Sequence, residues 1–147
     1  TDLMQVAYDL YASKQFLKAI EVYTQVISLN PNDFFAYHNR AVCYAETGDD
    51  AAALRDLNES IAINPNYGHA YFTRGYLYTL AKQDEKAFRD YLKAAEKDPK
   101  HAMAHYNLGV MYLQAGEDRS SIAHFQISAR LGFEPAQDYL RKKSISW

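Results

Sequence analysis

Pro31, Pro65 and Pro99 stand 34 residues apart, and each follows Asn30, Asn64 or Asp98. A period of that length marks a stacked repeat. Each unit is a pair of short helices that buries its apolar face only against its neighbours. The 147 residues hold four such units and a short remainder. Stacked pairs build a long open face rather than a closed cleft. The first expectation is therefore a chain that holds a partner, not one that transforms a substrate.

The period organises other columns too. Small residues recur at Ala7, Ala41, Gly75 and Gly109, and again at Ala19, Ala53, Ala87 and Ser121. Large residues recur at Leu10, Tyr44, Tyr78 and Tyr112, at Tyr23, Leu57, Tyr91 and Phe125, and at Leu3, Tyr37, Tyr71 and His105. Small side chains let two helix axes approach closely, and large aromatics fill the space where the axes diverge. Proline cannot continue a helix and moves the residue before it out of helical conformation, so each one ends a unit.

These columns resemble the tetratricopeptide repeat family, with a large residue, a small one, an aromatic, then alanine, an aromatic and proline. Tyr71, Gly75, Tyr78, Ala87, Tyr91 and Pro99 carry the pattern most fully. The resemblance implies an all-α fold: a right-handed α-solenoid of four helix pairs plus a C-terminal capping helix. The expected repeats are residues 1–33, 34–67, 68–101 and 102–134, with the cap and tail at 135–147. The pattern predicts first helices over 2–13, 34–46, 68–81 and 102–115. Second helices follow over 16–29, 49–63, 84–97 and 118–131. Gly48 and Gly116 suit the left-handed residue that ends a helix, and Asp50, Asp84 and Asp118 suit the positive end of the next one. Pro135 suits the first turn of a ninth helix, in which Ala136, Tyr139 and Leu140 share one face.

In the family the first helices line a concave groove. Once the packing columns are set aside, that face keeps Gln5, Tyr8, Phe35, His38, Asn39, Phe72, Thr73, Tyr76, Tyr106 and Asn107 as candidate peptide-binding residues. The set is aromatic and amide-bearing and nearly without charge. A second aromatic stripe beyond the core needs a use. An asparagine amide offers a donor and an acceptor to the backbone of an extended chain. Some family members hold acidic C-terminal tails with a clamp of Lys, Asn, Asn, Lys and Arg. The matching positions here are Met4, Tyr8, Asn39, His69 and Thr73, and only Asn39 agrees. Moving by one repeat gives His38, Val42, Thr73, Met103 and Asn107, which agrees less. Recognition of two carboxylates by that clamp is excluded.

Composition narrows the remaining classes. The net charge is −2, with basic and acidic residues interleaved, so no nucleic-acid footprint is expected. No apolar run is long enough to span a bilayer. The chain opens directly in a helical pattern, so we expect a soluble, cytoplasmic protein and leave an upstream targeting segment open. Its single cysteine, Cys43, falls in an apolar stretch and reads as core. His101 and His105 are spaced for one helix face, yet no third ligand joins them, so neither a metal nor any other cofactor is expected. No phosphate loop or nucleophile motif is present, so no catalytic residues are expected and the chain is not read as an enzyme.

The leading expectation is thus a protein–protein interaction scaffold, an adaptor that binds an uncharged, partly apolar peptide segment. The alternative is self-assembly, with a second copy docking on the aromatic face. The column assignment has its own test. Ala87→Leu is expected to lower stability by about 1–3 kcal/mol by forcing two packed helices apart. An exposed alanine would tolerate the change within about 0.5 kcal/mol. Chemical denaturation of both chains decides between the two.

Overall fold

A computed structural model describes residues 2–147. Among these residues there are nine α-helices and no strand. The helices are α1 Leu3–Ala12, α2 Phe16–Leu29, α3 Phe34–Glu46, α4 Asp50–Ile63, α5 Gly68–Leu80, α6 Asp84–Lys97, α7 Ala102–Gln114, α8 Asp118–Arg130 and α9 Glu134–Lys142. Each helix packs mainly on its neighbours in sequence, as a solenoid of helix pairs requires. No helix among the described residues is long and apolar enough to cross a membrane.

The helix ends follow local chemistry. Asp33 and Asp49 cap α3 and α4, accepting the N–H groups of Ala36 at 3.0 Å and Ala52 at 3.1 Å. The residue before each proline also has a task. Asn30, Asn64 and Asp98 accept the N–H of Asn32, Asn66 and Lys100 at 3.3, 3.1 and 3.2 Å, so the side chain shapes the turn while proline stops the helix. Between the helices of a pair, residues 14, 48, 82 and 116 all take positive φ. Gly48 and Gly116 do so at 86° and 77°, and Lys14 and Lys82 at 61° and 58°. Turn geometry therefore imposes this conformation even where a lysine must bear its cost.

Packing within a pair turns on residues 16 apart. A Cβ placed on Gly75 would lie 2.9 Å from the Tyr91 ring, and one on Gly109 would lie 2.9 Å from Phe125. Ala7, Ala41, Ala19, Ala53 and Ala87 are fully buried, as the column reading requires. Ser121 fits its alanine column because its hydroxyl donates to the Gly109 carbonyl at 2.8 Å. His105 likewise stands in for tyrosine. Tyr71 donates its hydroxyl to the Pro65 carbonyl at 3.0 Å, and His105 donates from Nε2 to the Pro99 carbonyl at 2.9 Å.

Two ion pairs brace the middle units. Arg40 forks onto Asp56 with two 2.7 Å contacts and reaches Thr24 on the preceding pair at 3.1 Å. Arg74 repeats this with Asp90 at 2.8 Å twice and Asn58 at 2.8 Å. At the last pair α9 closes the core: Ala136 and Leu140 are fully buried against Phe125 and Ala129, and Tyr139 lies 4.3 Å from the Phe125 ring.

Gly75→Ala is expected to lower stability by about 1–2 kcal/mol. Overpacking at the upper end of its usual ~1–3 kcal/mol range outweighs the ~1 kcal/mol that alanine adds to helix propensity. The upper end applies because Tyr91 is fully buried and its hydroxyl is held 2.8 Å from Thr79. An unchanged denaturation midpoint would show that the ring has room to retreat.

Candidate functional site

The face built by α1, α3, α5 and α7 carries two equivalent pockets. One, of about 160 Å³, is lined by Tyr8, Tyr11, Tyr23, His38, Asn39 and Val42. The other, of about 170 Å³, includes Tyr76, Tyr91, Asn107 and Val110. These four match Tyr8, Tyr23, Asn39 and Val42 after a shift of two repeats. In each pocket the asparagine faces a buried phenol, Asn39 that of Tyr23 and Asn107 that of Tyr91. Burial pushes the Tyr23 phenol up to about 12, so it stays protonated and keeps a donor in the pocket.

The unit between them is built differently. Leu57 replaces the floor tyrosine and Thr73 replaces the asparagine. Thr73 Oγ1 lies 2.9 Å from His38 Nε2, and His38 Nδ1 lies 3.3 Å from Asn39 Oδ1. Thr73 donates its hydroxyl to the His69 carbonyl at 3.0 Å, so Oγ1 accepts the Nε2–H of His38, and Nδ1 is left to pair with the Asn39 side-chain amide. Burial lowers His38 to about 4, so the ring is neutral near pH 7. His38 and Thr73 thus orient Asn39.

The candidate residues divide by exposure. Tyr8, Phe35 and Tyr76 are about half exposed, at 56%, 48% and 49%. Asn39, Thr73 and Asn107 are half-buried. Gln5 is exposed and donates to Asp9 at 2.8 Å along its own helix. Phe72 and Tyr106 are half-buried and spend their rings on neighbours. Phe72 lies 4.5 Å from His101, and Tyr106 lies 5.1 Å from Phe133. Phe35 joins Phe34 and Tyr67, at 4.3 and 5.0 Å, and Tyr67 stands edge-on to His38 at 5.3 Å. Tyr67 escaped the sequence reading because it fills the capping column of Asp33 and His101.

The histidines have structural tasks. His101 caps α7 by accepting the Ala104 N–H at Nδ1, 3.2 Å away. His105 donates to Pro99 and accepts at Nδ1 from His124, 3.1 Å away. Among the described residues no group of three or more His, Cys, Asp and Glu could hold a metal ion. Cys43 is buried, and burial raises its thiol to about 11.

Models of the tetratricopeptide repeat match residues 8–33, 22–55 and 75–116, and the chain belongs to that family. No curated protein matches it. Among solved structures it is similar to MamA, residues 41 to the end, from Desulfovibrio magneticus RS-1. That likeness has 26% identity and a TM-score of 0.72 over 92% of this chain and 76% of that one. It is also similar to the first TPR of Spaghetti (RPAP3) bound to HSP90 peptide SRMEEVD. There the identity is 25% and the TM-score 0.72, over 78% of this chain and 90% of that one. The C-terminal part of a TPR repeat-containing protein from Cytophaga hutchinsonii shares the fold at 21% identity, with a TM-score of 0.67 over 84% of this chain and 49% of that one.

The buried histidine sets a pH dependence. His38 is held well below its ordinary 6.5. The folded chain therefore binds fewer protons than the unfolded one, and stability falls as pH drops from about 6.5 towards 4. At about pH 5 the expected loss from His38 is roughly 2 kcal/mol. Burial lowers His101 and His124 in the same direction. Denaturation midpoints at about pH 7.5 and pH 5 should differ, and less so in His38→Gln; an equal difference in both chains would remove His38 as a cause.

Proposed function

We propose that the chain is a protein–protein interaction scaffold that holds an extended segment of a partner across the face of α1, α3, α5 and α7. The observation that carries this reading is the pair of equivalent pockets, each with an asparagine beside a protonated tyrosine and an exposed tyrosine at its mouth. Asn39 and Asn107 would hold backbone amides, with Tyr8, Phe35 and Tyr76 as side-chain anchors. His38 and Thr73 fix the first asparagine, while Gln5, Phe72 and Tyr106 frame the edges. The two pockets lie two repeat steps apart, roughly 20 Å at about 10 Å per neighbouring helix. An extended chain covers that in about six residues, so a motif of six to eight residues is expected.

The peptide-bound RPAP3 structure supports this use of the fold. That peptide, SRMEEVD, is acidic, and Met4, His69 and Thr73 stand here where the clamp would need cations. The ligand class therefore differs. Self-assembly is the second reading, favoured by the same exposed Tyr8, Phe35 and Tyr76. Sedimentation separates the two, because a scaffold binds as a monomer and a self-assembling chain gains mass with concentration.

Octapeptides selected from a random display should bind with micromolar affinity, since an unstructured segment must order on binding. Asn39→Ala and Asn107→Ala should each weaken a selected peptide by about fivefold to tenfold, the worth of one hydrogen bond. Calorimetric titration measures this. Equal affinity in both variants, with folding intact, would place binding elsewhere.

A further inference from the structure

The pocket at Asn107 opens into a larger trough of about 430 Å³ between the start of α6 and the end of α7, and the two share Asp84, Met111 and Gln114. Its apolar part is Phe88, Met111 and Tyr112, with the two rings edge-on at 5.3 Å. Its rim carries Asp84, Glu85 and Glu117, and no lysine or arginine lines it. Glu85 is paired with Arg89 along α6. Asp84 and Glu117 belong to none of the ion pairs formed among the described residues.

First-turn carboxylates are ordinary where they stabilise a helix start. Here Glu117 makes no side-chain capping bond to α8, and the acids surround an apolar trough. The neighbouring units show that the charge is not part of the repeat. At the junction of the second and third units the matching positions are Asp50, Ala51, Leu54, Leu77, Tyr78 and Gln83, with one carboxylate instead of three. At the first junction the matching positions are Phe16, Leu17, Ile20, Cys43, Tyr44 and Asp49, again with one carboxylate, and the pocket there is also lined by Lys14 and Lys18.

We infer that this trough anchors a basic residue of the partner segment: an arginine beside an apolar residue. An arginine stem is apolar along its length and its planar head stacks on aromatic rings, while the guanidinium donates to two carboxylate neighbours in fork geometry. Aromatic floor and acidic rim match those two halves. The inference rests on the peptide-scaffold reading, because the trough continues the Asn107 pocket. It adds a charge preference at one end of an otherwise uncharged groove. The face was expected to be nearly uncharged because only first-helix residues were assigned to it. Asp84 and Glu85 come from a second helix, and Glu117 from the turn that follows α7.

The test uses the full chain and three acetylated, amidated hexapeptides in which leucine alternates with arginine, glutamine or glutamate. The probes are titrated while backbone amide resonances are followed. The arginine peptide should shift the amides of residues 84–88 and 111–117 and bind at least about tenfold more tightly than the glutamate peptide. Asp84→Asn with Glu117→Gln, surface changes that keep side-chain shape, should remove that preference. So should raising salt from about 0.1 M to about 0.5 M. Equal binding of all three peptides, or shifts outside the trough, overturns the inference and leaves the scaffold reading in place. Failure of these peptides and of display-selected uncharged ones alike overturns both. A gain of mass with concentration that Lys14→Glu with Lys18→Glu abolishes would make the occupant a second copy, and the inference would fall.

Discussion

The close contact between a small residue on a first helix and a large one on the second holds each unit together. Gly75 lies under Tyr91 and Gly109 under Phe125, at distances that leave no room for a methyl group. This contact sets how near the two axes come, and so which residues of the first helix turn outward. The exposed face that carries Tyr8, Phe35 and Tyr76 follows from it. The second unit pairs Ala41 with Leu57 and the first pairs Ala7 with Tyr23, and all four side chains are fully buried.

Polar bonds then decide how units are joined. Arg40 and Arg74 each hold an aspartate of their own unit and a hydroxyl or amide of the preceding one. Both aspartates are largely buried, and forked hydrogen bonds offset the cost of removing these charges from water. In the fourth unit the same three positions are Leu108, His124 and Leu92, so the joint there is apolar. His124 stacks on Tyr112 and His105, at 5.4 Å from each, and extends that joint towards the acidic trough.

The proposed binding face inherits this alternation. Pockets of one design sit at the first and third steps, and a sealed histidine–threonine bridge sits between them. On the proposed reading, an extended chain would be held at the two pockets and run across the bridge between them. Burial keeps His38 neutral, so the bridge carries no charge.

The period, the helix ends, the packing columns and the ninth helix were all legible in the sequence. Each is written in single residues at a fixed spacing: Asx–Pro at the turns, small residues at crossings, Ala136 and Leu140 on one face. The candidate face was legible in part, since Asn39, Asn107, Tyr8 and Tyr76 could be assigned to it by subtraction from the core. Subtraction could not show that Phe72 and Tyr106 turn inward against His101 and Phe133, because that depends on the size of the neighbouring unit's residues. The Arg40–Asp56 pair had a signal, the same two residue types recurring one period later at Arg74 and Asp90, but types alone do not state contact. Only the tertiary structure decided that His38 would be consumed by Thr73 and Asn39, and that Asp84, Glu85 and Glu117 would gather around Phe88 and Tyr112. Such groupings draw on three helices at once. The repeat dictates which column a side chain occupies, and the neighbouring units decide what it touches there.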